Sequence, residues 1–202
     1  MSIIDSLLGG LDSLFEDEVK ENNETTEISE VDELRKDQVA EIMGEVFTED
    51  VIENWDNLSI EEKTALLNQY YHLAGETLGI SVNDVIVEDL QAQFGEGTMG
   101  YNNGDGNVHV DVSRLTDSSQ LGDLLNTVTH EMRHQLQTEA VARPEDFSDI
   151  PSDVLEQWKY ELNPNNYIRP EYDYEGYYNQ AIEVDARDFG ESVVDRFIES
   201  MT

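Results

Sequence analysis

The stretch SSQLGDLLNTVTHEMRHQLQTEAVA, residues 118–142, constrains the fold more than any other feature of the chain. Its apolar residues Leu121, Leu124, Leu125, Val128, Met132 and Leu136 recur at helical spacing and gather on one side. A helix with such a side must bury it, so the rest of the chain has to be assembled around this element. His130 and His134 fall together on a different side, one turn apart, with Glu131 near the boundary between the two.

The flanking elements read as follows. DQVAEIMGEVFTEDVIENW, residues 37–55, has apolar residues at helical spacing. LSIEEKTALLNQYYHLAGETLGI opens with Ser59 and Glu62 in a capping-box arrangement and is expected to end at Gly79. DVIVEDL reads as a strand. GTMGYNNGDGNVHVDVSRL reads as a hairpin turning at NNGDG, with Val108, Val110 and Val112 alternating against His109 and Asp111. A last helix runs through YNQAIEVDARDFGESVVDRFIESM, with Ile182, Ala186, Phe189 and Val193 packing inward. Between the two long helices, residues 141–178 hold all four prolines, Trp158 and six tyrosines. The fold class is therefore α+β.

Residues 1–37 read as an appendage to a domain spanning 38–202. Ile4, Leu7, Leu8, Leu11, Leu14 and Phe15 give a short amphipathic segment, interrupted by Gly9 and Gly10. EDEVKENNETTEISEVDE then reads as an acidic flexible tether. The leading segment is either a docking or export element or a helix that packs on its own domain. With no basic region and no small-residue cleavage site there, the protein is expected to be cytoplasmic, or exported without a cleavable signal peptide.

Charge and composition narrow the chemistry. The 46 acidic and 11 basic residues leave a net charge of −35. Such a surface repels phosphate, and there is no basic stripe, so nucleic acid and anionic membrane are disfavoured as partners. No stretch approaches the roughly 20 apolar residues of a membrane span, so membrane insertion is not expected. Cysteine is absent, which removes disulfides, thiolate nucleophiles and Cys-based zinc sites together. Any metal must be held by histidine and carboxylate.

The His130–Glu131–x–x–His134 spacing suits that chemistry. Two imidazoles one helical turn apart converge on one ion at Zn–N distances of about 2.0–2.1 Å. A carboxylate beside them can take a proton from metal-activated water, the role expected of Glu131. A catalytic zinc site needs a third protein ligand and an open fourth position. Glu183, 49 residues after His134 and carried on the last helix, is the best third ligand. Asp185 competes for that place, or accepts a hydrogen bond from a liganding imidazole and fixes its tautomer. His72 and His109 read as ordinary histidines, one on a helix and one on the wet side of a strand.

HEMRHQLQ followed by EVDARDFG resembles the gluzincin branch of the zincin metallopeptidases. The likeness is to small bacterial and prophage members, including the repressor-cleaving kind, whose distal motif reads E-x-x-A-x-x-F; here that falls on Glu183, Ala186 and Phe189. Similar pairings occur in metallopeptidase domains of bacterial toxins. The resemblance covers about residues 80–200. It implies a zincin-like fold, with a small mixed or antiparallel sheet on the active-site helix and a C-terminal ligand-bearing helix. It further implies zinc held by His130, His134 and Glu183, and Glu131 as catalytic base. The thermolysin-like pattern places an aspartate four positions after the distal glutamate, where this chain has Arg187.

The expected activity is hydrolysis of peptide bonds by a zinc-dependent metalloendopeptidase. A second oxyanion donor is needed, and the tyrosine-rich segment can supply one: Tyr177 and Tyr178, nearest to Glu183 in sequence, are the candidates, with packing or cleft lining as the alternative role of such a cluster. An extended peptide would add to GNVHVDVS as a sheet edge, and an acidic cleft would favour basic protein or peptide substrates. The rival reading is a non-catalytic binding or assembly module that keeps zinc for structure. If the leading segment is a docking element, it is a second place for a partner.

Overall fold

The computed structural model describes residues 30–95 and 97–202; the amphipathic segment and most of the acidic tether lie outside them. The first described helix, α1 (Glu30–Val46), is followed by the short α2 (Glu49–Glu53) and by α3 (Ile60–Leu78). Then come β1 (Val85–Glu88), α4 (Leu90–Phe94), β2 (Gly100–Asn102) and β3 (Val108–Asp111). After α5 (Ser113–Thr116) runs the long α6 (Leu121–Ala142), then α7 (Ser152–Glu161), α8 (Tyr174–Tyr178) and α9 (Ala181–Ser200).

Residues 30–37, expected to belong to the appendage, form the first two turns of α1 instead. Their charges are the reason they dock rather than drift. Glu30, Asp32 and Glu33 sit in the first turn, where the helix dipole favours negative charge. Arg35 makes a two-pronged contact with Asp149 at 2.6 and 3.0 Å. Lys36 is buried and reaches Asp188 of α9 at 2.6 Å. Each ion pair spans more than a hundred residues of sequence, so no local pattern announces it.

The α3 helix begins as its capping box requires. Ser59 Oγ accepts from the Glu62 N–H at 3.2 Å, and the Ser59 N–H donates to Glu62 Oε2 at 2.8 Å. Gly79 ends it in the left-handed region at φ +71°.

The sheet is three-stranded and mixed, in the order β1-β3-β2. β1 runs parallel to β3, with Val85 opposite Val108, and β2 runs antiparallel to it, with Gly100 opposite Val110. The hairpin arm expected at the edge is therefore the central strand, and β1 and the short β2 are the two edges. The expected polar face of β3 is also only partly wet. Asp111 is buried, where it accepts from the N–H groups of Leu90, Gln91 and Ser113 at 2.8–3.1 Å and ties the α4 and α5 turns to the strand.

α6 is the spine. All six of its expected apolar residues are fully buried. Burying side chains of this size contributes about 1.5–3 kcal/mol each, which fixes the rotation of the helix about its axis. α9 lies along it with Ile182, Ala186, Phe189, Val193, Val194 and Phe197 buried. The crossing is close at Gly190. A Cβ there would stand 2.4 Å from Asn126 Oδ1 and 3.4 Å from the His130 backbone nitrogen.

The segment before α9 is more ordered than its prolines suggest. α7 buries Trp158 and supplies Glu161, whose carboxylate accepts from the Ala181 and Ile182 N–H groups at 3.2 and 2.9 Å. The N-terminus of α9 has no cap from its own Gln180 side chain, so Glu161 satisfies those donors from another helix. Gln180 instead grips Ile168, accepting from its N–H at 2.8 Å and donating to its carbonyl at 3.1 Å. No helix among the described residues is long and apolar enough to cross a membrane.

Candidate metal centre

Fixing α6 by its apolar face turns His130 and His134 toward α9, and the close crossing at Gly190 brings Glu183 down to meet them. The two imidazole Nε2 atoms stand 3.1 Å apart, and each lies 3.5 Å from Glu183 Oε2. Ligands at about 2.0–2.1 Å from a tetrahedral ion stand about 3.3–3.4 Å from one another, so this triangle fits one ion. Among the described residues it is the one group of three or more His, Asp or Glu side chains so converged.

The state of Glu183 fits an ion as well. It is 1% exposed, and its Oε2 is buried without a hydrogen-bond partner. Its other oxygen is engaged: Tyr167 donates to Oε1 at 3.0 Å. Burial opposes the charge of Glu183, but the His130 and His134 imidazoles outweigh it and hold the carboxyl well below the usual range. His134 moves the other way. Burial opposes its imidazolium, yet Glu183 and then Glu131 push it up to about 9. A buried pocket that stabilises positive charge this strongly is suited to a cation.

The Glu131 carboxylate takes part in no hydrogen bond or ion pair described in the structure, while its backbone carbonyl accepts from Asn102 of β2 at 3.2 Å. It is nearly buried and lies beside the edge strand: a Cβ on Gly100 would be 3.8 Å from Glu131 Cγ. Such a Cβ would also stand 2.6 Å from Thr127 Cγ2, so glycine lets β2 lie against α6 at this level.

Asp185 lies outside the converged group. Its carboxylate is taken by Arg133, from Nε and Nη2 at 2.8 Å each, and by Gln137 Nε2 at 2.7 Å. Nor does it touch an imidazole; Gln137 stands between, with Oε1 2.8 Å from His134 Nδ1. Arg133 is buried over the rings of Phe189 and Trp158 and takes Asp32 of α1 on its other side. Removing either carboxylate would leave this buried guanidinium short of a partner, which is costly.

The tyrosines divide. Tyr177 lies near the site, where burial first and then the Glu183 charge push its phenol above the ordinary range, and its ring meets Tyr167 edge-on at 6.2 Å. Tyr178 does not join it. Its ring is half-exposed, with the Arg187 guanidinium 3.6 Å above it. Arg187, at the position of the missing aspartate, thus covers an aromatic ring at the rim. His109 pairs with Glu88 at 2.5 Å and stacks on Tyr101, away from the triad, and His72 is exposed.

Gln137 and Tyr167 are the site residues that the sequence reading did not reach. Gln137 had a signal, since three residues past His134 on one helix is contact distance. Tyr167 had none, because its hydroxyl meets Glu183 across a loop, next to the Gln180 clamp on Ile168. A comparison with family models, curated protein sequences and solved structures finds no match for the chain. The site and fold define an α+β protein with a His–His–Glu group able to hold a metal ion.

Proposed function

We propose that the protein is a zinc-dependent metallopeptidase of the zincin type, with His130, His134 and Glu183 as ligands and Glu131 as general base. The observation that carries this reading is the triangle of two Nε2 atoms and one carboxylate oxygen, with an unengaged carboxylate on the same helix. Imidazole and carboxylate donors without thiolate match a catalytic zinc set of the His₂Glu kind.

Zinc, when bound, supplies Lewis acidity that lowers the pKa of water to about 7 and polarises a carbonyl. The Glu131 carboxylate accepts the proton of the attacking water and passes it to the leaving amine. Tyr167 keeps its hydroxyl on Glu183, so Tyr177 is the tyrosine left to donate to a developing oxyanion. An extended peptide pairs with the open edge of β2, beside Glu131, through backbone hydrogen bonds indifferent to its sequence. The exposed rings of Tyr174 and Tyr178 then meet its side chains, and the charge of −35 favours peptides carrying Lys or Arg.

Zinc content and peptide cleavage, measured on the wild type and on Glu131→Gln, test this reading. Retained zinc with cleavage reduced by at least about 10²-fold is the expected result, as for loss of a general base. Equal zinc and no cleavage by either protein across a broad substrate panel would point to a module that keeps the metal for structure.

A further inference from the structure

The side chain of Gln137 is fully buried between α6 and α9, and each of its polar atoms has a fixed partner. Its Nε2 donates to the Ile182 carbonyl at 2.9 Å and to Asp185 Oδ2 at 2.7 Å. A carbonyl and a carboxylate are acceptors alone. Turning the amide over would set oxygen against oxygen at both contacts, so the orientation is determined. Oε1 is therefore the atom 2.8 Å from His134 Nδ1. An amide oxygen only accepts, so Nδ1 carries a proton, and the lone pair of the neutral ring is left on Nε2. That is the nitrogen facing His130 and Glu183.

We infer that Gln137 is the positioning residue of the metal centre. It fixes the tautomer and ring direction of His134, and the hydrogen-bond path from Asp185 to that ring runs through it. The path continues outward: Asp185 is held by Arg133, and Arg133 by Asp32 in the first turn of α1 at 2.7 and 3.2 Å. Seating of α1 is thereby connected to the presentation of His134. Aspartate more often accepts directly from a liganding imidazole, and here an amide does so with the aspartate behind it.

The inference rests on the metal reading of the site, and its test has a part that does not. In ¹⁵N-labelled protein, long-range ¹H–¹⁵N spectra report which His134 nitrogen carries the proton. The expected result is a solvent-protected Nδ1–H close to the Gln137 side chain, in the zinc-loaded protein and in the neutral imidazole of the metal-free protein. In metal-free protein held above pH 9, where the imidazole is neutral, a proton on Nε2 in place of Nδ1 overturns the assignment even if no zinc binds, as does an unprotected Nδ1–H in the zinc-loaded form. Zinc affinity, read by chelator competition, should fall about 10–100-fold in Gln137→Met, and by less in Asp185→Asn, whose Ile182 contact still orients the amide. Wild-type affinity in a folded Gln137→Met would also overturn it. Should that variant fail to fold, the wild-type spectra decide.

Discussion

The Tyr167 hydroxyl donates to Glu183 Oε1 at 3.0 Å, which leaves Oε2 of the same carboxylate facing the His130 and His134 imidazoles at 3.5 Å each. The two oxygens are thus assigned different tasks before any ion arrives. Tyr167→Phe keeps the ring against Tyr177 and removes only the donor. Zinc affinity should fall about 10-fold, at the low end of what losing such a partner costs. Competition with a chelating dye reads it, and unchanged affinity would mean that the hydroxyl does not orient the ligand.

Gly190 sets the distance between the helices that carry the ligands. Gly190→Ala places a methyl against Asn126 Oδ1 and against backbone atoms of Asn126 and His130 at 3.3 and 3.4 Å. Overpacking of this kind costs about 1–3 kcal/mol, and the strain falls on the turn bearing His130. Urea denaturation should show that loss, together with weaker zinc binding. A variant as stable as the wild type, with the same affinity, would show that the crossing has room to spare.

Protons compete with the metal at His134. The metal-free imidazole titrates at about 9, since Glu183 and Glu131 together outweigh its burial. That value lies above the ordinary 6.5, so protonated His134 stabilises the metal-free fold. The contribution is complete below 6.5 and is lost as pH rises through about 9. Zinc affinity runs the opposite way, rising with pH and levelling above about 9, because a ligand must be deprotonated. Calorimetry near neutral pH in buffers of different ionisation enthalpy should register proton release on zinc uptake. No release would contradict the placement of His134 in the ligand set.

Much of this site was legible because its spacing is local. His130, Glu131 and His134 lie within two turns of one helix, and the apolar residues around them fix which way that helix faces. Glu183 was legible for the same reason, through the period of Ile182, Ala186 and Phe189. What escaped was non-local. Nothing near Asp185 in sequence shows that Arg133 would claim it, and nothing near Tyr167 shows that its hydroxyl would reach Glu183. The strand order was hidden similarly: a hairpin pattern pairs β2 with β3 but is silent on β1 covering the far side of β3. Charged residues misled at α1, where acids and bases that read as a solvated tether are the helix's docking contacts.

The most direct test is to locate the ion. Crystals of the zinc-loaded protein, measured on both sides of the zinc absorption edge, should show one anomalous peak per chain at about 2.0–2.1 Å from His130 Nε2, His134 Nε2 and Glu183 Oε2. A peak elsewhere, or zinc-soaked crystals with none between α6 and α9, would contradict the account.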